Sequence, residues 1–177
     1  MKHLLNIGRT ISYLLRHDPK DLNMDKNGYV LVEDLLKKIE ITKSDLDWIV
    51  ENNDKKRFAY SEDGTKIRAS QGHSIKVDTQ LKTTRPPMIL YHGTKLENLG
   101  SIQRTGLEKR NRLHVHLTDN LDTAHAVGKR YSKRFKPLIL EINSGAMYAD
   151  GFKFYLSENK VWLTDNVPFK YIKIQKL

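Results

Sequence analysis

The sequence predicts an α+β protein made of two parts. Apolar residues recur at helical spacing over the first 50 residues, and a β-hairpin pattern follows at 57–69. The second half is typical of short strands with two helices among them, which differs from a repeating strand–helix series. A polar segment at 75–88 ends in Arg85-Pro86-Pro87 and is a candidate linker. We therefore expect domains at 1–80 and 81–177.

The first part begins with a predicted amphipathic helix over residues 4–16. Pro19 disfavours helical backbone at the residue before it, so the helix should end near His17. Arg16 and His17 then lie at its C-terminal end, where the helix dipole favours cations. That purely structural role is one interpretation of both residues.

Two further helices and a hairpin complete this part. A turn at Asn27-Gly28 precedes apolar spacing at 32–39, which predicts the second helix. Thr42 and Asp45 form a capping-box pattern at the start of the third. The hairpin at 57–69 comes next. Three helices followed by a hairpin is the order of a winged-helix module, a relative of the helix-turn-helix.

The hairpin leads into a segment rich in candidate anion ligands, residues 66–74. In an extended strand Ile67 and Ala69 would face a core, while Arg68 and Ser70 would face the other way. A glycine would let the backbone approach a ligand closely. A phosphate or oxyanion cradle is one interpretation, and a polar edge strand with its loop is the other. The candidate ligands are Arg68, Ser70, Gln71, Gly72, His73 and Ser74.

The second part opens with a predicted strand at 88–91 that leads into His92-Gly93-Thr94. Thr94 and Glu97 form another capping-box pattern, so a helix should begin at once. A strand, a glycine and a helix N-terminus in succession can present backbone N–H groups to an anion.

The rest of the second part alternates strands with one more helix. A strand at 112–118 would carry His114 and His116 on one face. A helix over 121–127 should follow, then Gly128-Lys129-Arg130. Further strands are expected at 138–142, 152–156, 161–163 and 171–174.

The charge balance favours a polyanionic partner. Lys and Arg number 31 against 21 Asp and Glu, for a net charge of +10, with a solvated basic surface as the alternative. The chain has no cysteine, which excludes disulfides and thiolate chemistry and fits a cytoplasmic protein. No apolar run is long enough to span a bilayer, and the apolar stretch at the N-terminus is too short for a signal peptide.

The common catalytic motifs are absent from the sequence. It contains no P-loop, G-x-G-x-x-G, G-x-S-x-G or H-E-x-x-H. His114 and His116 could point the same way toward a metal, but no third ligand stands at a recognisable spacing. Pocket lining or a structural hydrogen bond is the preferred interpretation, and we expect no metal.

Six short motifs occur in one order along the chain. They are Leu14-Leu15-Arg16-His17, Ile67-Arg68-Ala69 with Gln71-Gly72-His73-Ser74, Tyr91-His92-Gly93-Thr94, His114-Val115-His116-Leu117, Val127-Gly128-Lys129-Arg130, and Ser157-Glu158-Asn159 with Val161-Trp162-Leu163-Thr164. Together they resemble the RNA 2′-phosphotransferase family, enzymes that remove an internal 2′-phosphate from RNA using NAD. The resemblance covers essentially the whole chain. It implies an N-terminal winged-helix RNA-binding lobe, a C-terminal ADP-ribosyltransferase-like lobe, and NAD in the cleft between them.

The resemblance also implies the site residues. The family's catalytic set falls on Arg16, His17, Arg68 and Arg130. Its NAD contacts fall on His92, Gly93, Thr94, Arg112, His116, Leu117 and Thr118. Candidates for contact with the 2′-phosphate or the RNA are Ser70, Gln71, Gly72 and His73.

The implied partners follow from the family's reaction. NAD would be consumed as a co-substrate without a metal, and the acceptor would be a tRNA-like RNA with an internal 2′-phosphate, as in tRNA splicing or RNA repair. We expect a cytoplasmic monomer.

Two local departures from the family's pattern stand out. A short His-Gly turn is common after the last catalytic arginine, whereas here the longer basic segment Tyr131–Lys136 follows Arg130. Lys160 stands where a glycine is common after Glu158-Asn159. Both departures affect the expected loop geometry.

Two other functions remain open beside the phosphotransferase. An ADP-ribosyltransferase acting on another phosphorylated acceptor would stop after the first chemical step. A non-catalytic RNA-binding module would use the winged helix and the basic surface alone.

Overall fold

The computed structural model describes residues 2–53, 55–131 and 137–175. The chain divides into two compact units, Met1–Gln80 and Leu81–Leu177, each with its own hydrophobic core. Helices and small sheets occur together, and every strand pairing in the described ranges is antiparallel. The prediction of an α+β protein is confirmed at this level.

Three helices form most of the first unit, as the apolar spacing predicts. They are α1 (Lys2–Arg16), α2 (Val32–Ile39) and α3 (Lys43–Glu51). The capping box at the start of α3 is confirmed. Thr42 Oγ1 accepts from the Asp45 N–H at 3.1 Å, and Asp45 Oδ2 accepts from the Thr42 N–H at 3.1 Å. The apolar faces of the helices pack into one core that includes Ile11, Leu15, Leu35, Leu46 and Ile67.

The sheet of the first unit contains the predicted hairpin and one additional strand. Strands β2 (Phe58–Tyr60) and β3 (Lys66–Ala69) pair antiparallel. Strand β1 (Val30–Leu31) pairs with the other edge of β3, and no pattern in the sequence indicates it. Ser70 does not continue the predicted alternation. It is buried, because β3 has ended and the Ser70 hydroxyl turns to donate to the Lys56 carbonyl at 3.0 Å.

The second unit holds three small sheets and three helices among its described residues. In spatial order, one sheet joins Ile172–Ile174, Pro137–Ile142 and Leu90–Lys95, the second joins Val115–Leu117, Trp162–Thr164 and Tyr155–Leu156, and the third joins Asn166–Val167 and Leu107–Glu108. Single 3₁₀ turns lie at Leu96–Asn98 and Phe169–Tyr171. The elements are β4 (Leu90–Lys95), α4 (Leu99–Thr105), β5 (Leu107–Glu108), β6 (Val115–Leu117), α5 (Leu121–Tyr131), β7 (Pro137–Ile142), α6 (Ser144–Ala149), β8 (Tyr155–Leu156), β9 (Trp162–Thr164), β10 (Asn166–Val167) and β11 (Ile172–Ile174).

The predicted helix start at Thr94 is wrong. Strand β4 continues to Lys95 and pairs in full with β7, with Thr94 opposite Leu138. The following 3₁₀ turn has Lys95 at its N-cap and no side-chain capping bond. Pairing with a buried six-residue strand outweighs the local capping preference of a threonine. The strand–glycine–helix cradle expected at His92-Gly93-Thr94 is therefore not formed as predicted.

Several other elements differ from the predictions. Helix α5 extends beyond residue 127 and includes Arg130, while β6 is shorter than the expected strand. Helix α6 was not expected, since its six residues are too few for a periodic pattern. Part of the predicted linker belongs to the second unit, where Thr84 N–H donates to the Phe154 carbonyl at 2.8 Å.

Candidate functional site

The end of α1 positions two of the candidate catalytic side chains. Leu14 and Leu15 are buried at 4% and 0% exposure, so the last turn of α1 is fixed against the core. Arg16 is then half-buried and His17 is exposed. The His17 N–H donates to the Tyr13 carbonyl at 2.9 Å and closes the last turn.

The loop after β3 is attached to this helix end. The Ser74 N–H donates to the Arg16 carbonyl at 2.9 Å, and Ser74 Oγ lies 2.9 Å from His17 Nδ1. Gly72 has φ +89, a backbone conformation that a side chain would strain, and so it allows the loop to turn back toward α1. Two segments 57 residues apart in sequence therefore meet at His17.

Arg68 is held beside them by an aromatic ring. It lies in the middle of β3, half-buried, with its guanidinium carbon 4.7 Å from the centre of the Tyr29 ring. A cation above the face of a tyrosine is attracted by the ring quadrupole, which fixes the orientation of the guanidinium. No sequence pattern singles out Tyr29, because it comes from a separate loop.

His73 is buried close to these side chains and is uncharged at neutral pH. It is 1% exposed, and its pKa is lowered to about 4, first by burial and then by the positive charges of Arg16, Arg68 and His17. Two guanidinium groups and a second imidazole are close enough to act on this neutral imidazole, and such a group of donors favours an anion. We call Arg16, His17, Arg68 and His73 the cationic cluster. Its members are contributed by a helix end, a strand and a loop.

The remaining candidates for contact with RNA occupy different environments. Ser70 anchors the loop through its buried hydroxyl. Gln71 is half-buried, and its Oε1 atom, like Nε2 of His73, has no hydrogen-bond partner among the residues that the structure describes. The contact of Ser70, Gln71, Gly72 and His73 with a phosphate stays a prediction.

A second group of candidates meets in the second unit, where β4 lies beside β6. Tyr91 and Thr118 form a two-way backbone bridge, with N···O distances of 2.7 and 3.0 Å. His92 Nδ1 lies 2.9 Å from the His116 carbonyl oxygen, and Arg112 Nη1 lies 2.9 Å from His116 Nδ1. The predicted NAD-contacting residues of these two strands are thus adjacent.

These contacts determine where the imidazole protons are. A guanidinium can only donate, so Nδ1 of His116 accepts from Arg112 and the His116 proton is on Nε2. A carbonyl can only accept, so Nδ1 of His92 carries a proton. Burial, with a smaller effect of the Arg112 charge, lowers the pKa of His92. His92 is therefore neutral at pH 7, with Nε2 as an acceptor.

Gly93 and Thr94 have structural roles that the sequence did not reveal. A Cβ on Gly93 would lie 1.8 Å from the Ala124 carbonyl oxygen, so only glycine lets α5 pack this closely against β4. Thr94 is 7% exposed, and its hydroxyl accepts from Asn98 Nδ2 at 2.9 Å. Leu117 is 2% exposed, so its contact with any ligand would involve its backbone.

Arg130 lies in the second unit, on the last turn of α5, and is exposed. Most of the basic segment after it, residues 132–136, lies outside the described residues. Lys160 has φ +60, the left-handed conformation in which glycine is favoured. Lysine in this conformation carries backbone strain.

Two classes of site find no support in the described part of the chain. Within it, no three His, Asp or Glu side chains are grouped so that they could hold a metal ion. His114 instead contacts the Tyr155 ring, with ring centres 5.5 Å apart. None of the helices described is both long and apolar enough to cross a membrane.

Residues 2–166 match the RNA 2′-phosphotransferase, Tpt1 / KptA family. The chain belongs to this family. The match spans both units and includes every candidate residue of both groups. Curated relatives named "Probable RNA 2′-phosphotransferase" support the assignment. The protein of Flavobacterium johnsoniae is 52% identical, covering 96% of this chain and 96% of its own. That of Fusobacterium nucleatum is 48% identical, covering 98% and 99%, and that of Trichormus variabilis is 43% identical, covering 95% and 94%. The expectation of an enzyme of the RNA 2′-phosphotransferase family is confirmed.

Proposed function

We propose that this protein removes an internal 2′-phosphate from RNA in a reaction that consumes NAD. The observation that carries the proposal is the cationic cluster, in which Ser74 joins the loop after β3 to Arg16 and His17 by hydrogen bonds and a buried His73 lies within electrostatic range of Arg16, Arg68 and His17. A phosphate monoester is a compact dianion whose oxygens suit the planar donors of arginine. Family membership supports the same acceptor.

The proposed reaction has two steps. A 2′-phosphate oxygen attacks C1″ of the nicotinamide ribose, and nicotinamide leaves with the electrons of the broken glycosidic bond. The O2″ hydroxyl of that ribose then attacks phosphorus. The RNA 2′-oxygen leaves and takes a proton, which gives 2′-hydroxyl RNA and ADP-ribose 1″,2″-cyclic phosphate.

We assign the second step to the four candidate catalytic residues. In the transition state, negative charge builds on the non-bridging oxygens of the phosphate, and we propose that Arg16, Arg68 and Arg130 stabilise it. Each such donor is typically worth roughly 3 kcal/mol. His17 is exposed and fixed by Ser74, so it can donate to the phosphate or move a proton near neutral pH. Arg130, on α5 of the second unit, is assigned to this step from the family resemblance alone.

NAD is proposed to contact the second unit through β4 and β6. Nε2 of neutral His92 can accept from a ribose hydroxyl, and Nε2–H of His116 can donate. Arg112 is held by His116 at the same place and could contact a pyrophosphate oxygen. The segment from Gly93 to Thr94 and the backbone of Leu117 and Thr118 would shape this surface.

The proposed lobes agree with the element order of each unit. Three helices and a hairpin-containing sheet support a winged-helix RNA-binding lobe at 1–80. Small antiparallel sheets with helices support an ADP-ribosyltransferase-like lobe at 81–177. We further propose that the protein is a monomer and that it is cytoplasmic, the second of which is consistent with a chain that lacks cysteine.

One incubation separates this function from its alternatives. The protein is mixed with NAD and an RNA that carries a single internal 2′-phosphate. Release of nicotinamide together with a cyclic-phosphate product supports the proposal. A persistent ADP-ribosylated RNA would instead indicate an ADP-ribosyltransferase that stops after the first step. If the protein binds the RNA but no nicotinamide is released, the result would indicate a non-catalytic RNA-binding module.

A further inference from the structure

We propose that the exposed face of α1 binds the single-stranded RNA next to the 2′-phosphate, with Tyr13 stacking on a base that flanks it. The inference rests on the proposed function, because it takes the cationic cluster as the phosphate site. It adds a substrate-binding surface and a base-contacting residue to that site.

Tyr13 is placed where such a base would lie. Its side chain is 53% exposed, and its ring centre is 5.7 Å from that of His17, with the ring planes at 49°. His17 is itself held by Ser74, so the tyrosine packs against a fixed neighbour. Stacking on an exposed aromatic ring is the usual way in which proteins bind single-stranded nucleic acid without strict sequence preference.

The charge of α1 fits a polyanion. Residues 1–17 contain no Asp or Glu, although the chain has 21 of them. Acidic side chains in the first turn stabilise a helix through its dipole, and α1 has none there. The absence of acidic residues is therefore not explained by helix stability, and it leaves a surface that attracts phosphates.

The exposed face continues away from His17 at helical spacing. Arg9 lies one turn before Tyr13, which is about 6 Å along the helix axis, and is exposed. Its Nη1 atom is 3.2 Å from Asn6 Oδ1, so the guanidinium is held on this face. An RNA strand that leaves the cationic cluster along α1 would place a base on Tyr13 and a backbone phosphate near Arg9.

Equilibrium binding tests the stacking contact directly. We would measure fluorescence anisotropy, without NAD, of a labelled single-stranded RNA hexamer with one internal 2′-phosphate. A matched set carries an abasic site at each position flanking the phosphate. In the wild type, one abasic site should weaken binding by about 5- to 150-fold, the range of one base–aromatic stack. Tyr13→Ala should show that loss on intact RNA and no further loss on the same abasic RNA.

Variants with defined chemistry provide the controls. Tyr13→Phe keeps the aromatic face and should retain affinity, whereas Tyr13→Leu keeps apolar bulk without that face and should lose it. Tyr148→Ala removes another exposed tyrosine, on α6, and should change nothing. Arg9→Gln should lower the slope of log affinity against log salt by about 0.7, the value for one phosphate of a single strand.

The outcomes separate this inference from the proposed function. If Tyr13→Ala and the wild type respond equally to every abasic site, Tyr13 does not stack on a flanking base and the inference is overturned. The binding assay contains no NAD, so Tyr13→Ala can abolish the effect of the abasic site even in a protein that never releases nicotinamide from NAD. That pair of results would support the stacking contact and overturn the proposed function alone.

Discussion

Acidification should destabilise the first unit through His73. The imidazole is 1% exposed and lies within electrostatic range of Arg16, Arg68 and His17. Burial and these charges lower its pKa from 6.5 to about 4. The folded protein therefore keeps His73 neutral at a pH where the unfolded chain binds a proton.

The size and sign of the effect follow from this difference in pKa. Between pH 6.5 and about 4 the unfolded state binds more protons, so stability falls as the pH falls through this window. Above it His73 contributes no pH dependence. At about 1.4 kcal/mol per pH unit, the full effect is about 3 kcal/mol, of which about 2 kcal/mol should be lost between pH 7 and pH 5.

Urea unfolding with a local fluorescence reporter measures this loss. Trp48 lies on α3 in the first unit and Trp162 on β9 in the second, so Trp162→Phe leaves a reporter for the first unit. In the Trp162→Phe background, the free energy of unfolding is measured at pH 7 and at pH 5, with and without the substitution His73→Gln. The drop from pH 7 to pH 5 should be about 2 kcal/mol larger in the protein that keeps His73. The other histidines are common to both proteins and cancel.

Two results would refute this reasoning. One is an NMR titration in which the Cε1–H resonance of His73 moves near pH 6.5 in the folded protein. The other is an equal loss of stability on acidification in the proteins with and without His73→Gln. Either result would mean that the three cationic groups do not act on a buried neutral histidine.

Three further predictions concern single substitutions. Gly93→Ala places a Cβ 1.8 Å from a backbone oxygen of α5, so we expect urea unfolding to show at least about 3 kcal/mol of destabilisation. An unchanged urea midpoint would contradict the packing of α5 on β4. Lys160→Gly should stabilise the protein by about 1 kcal/mol in the same assay, because φ is +60, and a loss of stability would show that no strain is relieved. Arg68→Ala or Arg130→Ala should lower turnover roughly 10²- to 10³-fold or accumulate the ADP-ribosylated RNA, with circular dichroism unchanged. Wild-type rates would remove these arginines from the mechanism.

The sequence predicts the helices of the first unit well because their signals are local. Apolar spacing defines α1 and α2, and the Thr42–Asp45 capping box sets the start of α3. The same local rule fails at Thr94, where pairing with β7 decides the conformation. Strands of two residues, such as β1 and β5, are too short for any alternation to appear.

In the candidate site, too, local features could be predicted from the sequence and long-range contacts could not. Arg16 and His17 could be placed at a helix end from sequence, but the hydrogen bond between His17 and Ser74 joins residues 57 positions apart. The neutral state of His73 depends on its burial and on charged groups such as Arg16 that are far from it in sequence, and spacing along the chain does not reveal either. The contact between Tyr13 and His17, four residues apart on one helix, is the feature that could have been predicted.

The most direct test follows the phosphorus atom itself. An RNA with a radiolabelled internal 2′-phosphate is incubated with the protein, with and without NAD. We expect that the label leaves the RNA only when NAD is present and appears in ADP-ribose 1″,2″-cyclic phosphate. Release of the label as inorganic phosphate, or its release without NAD, would contradict it.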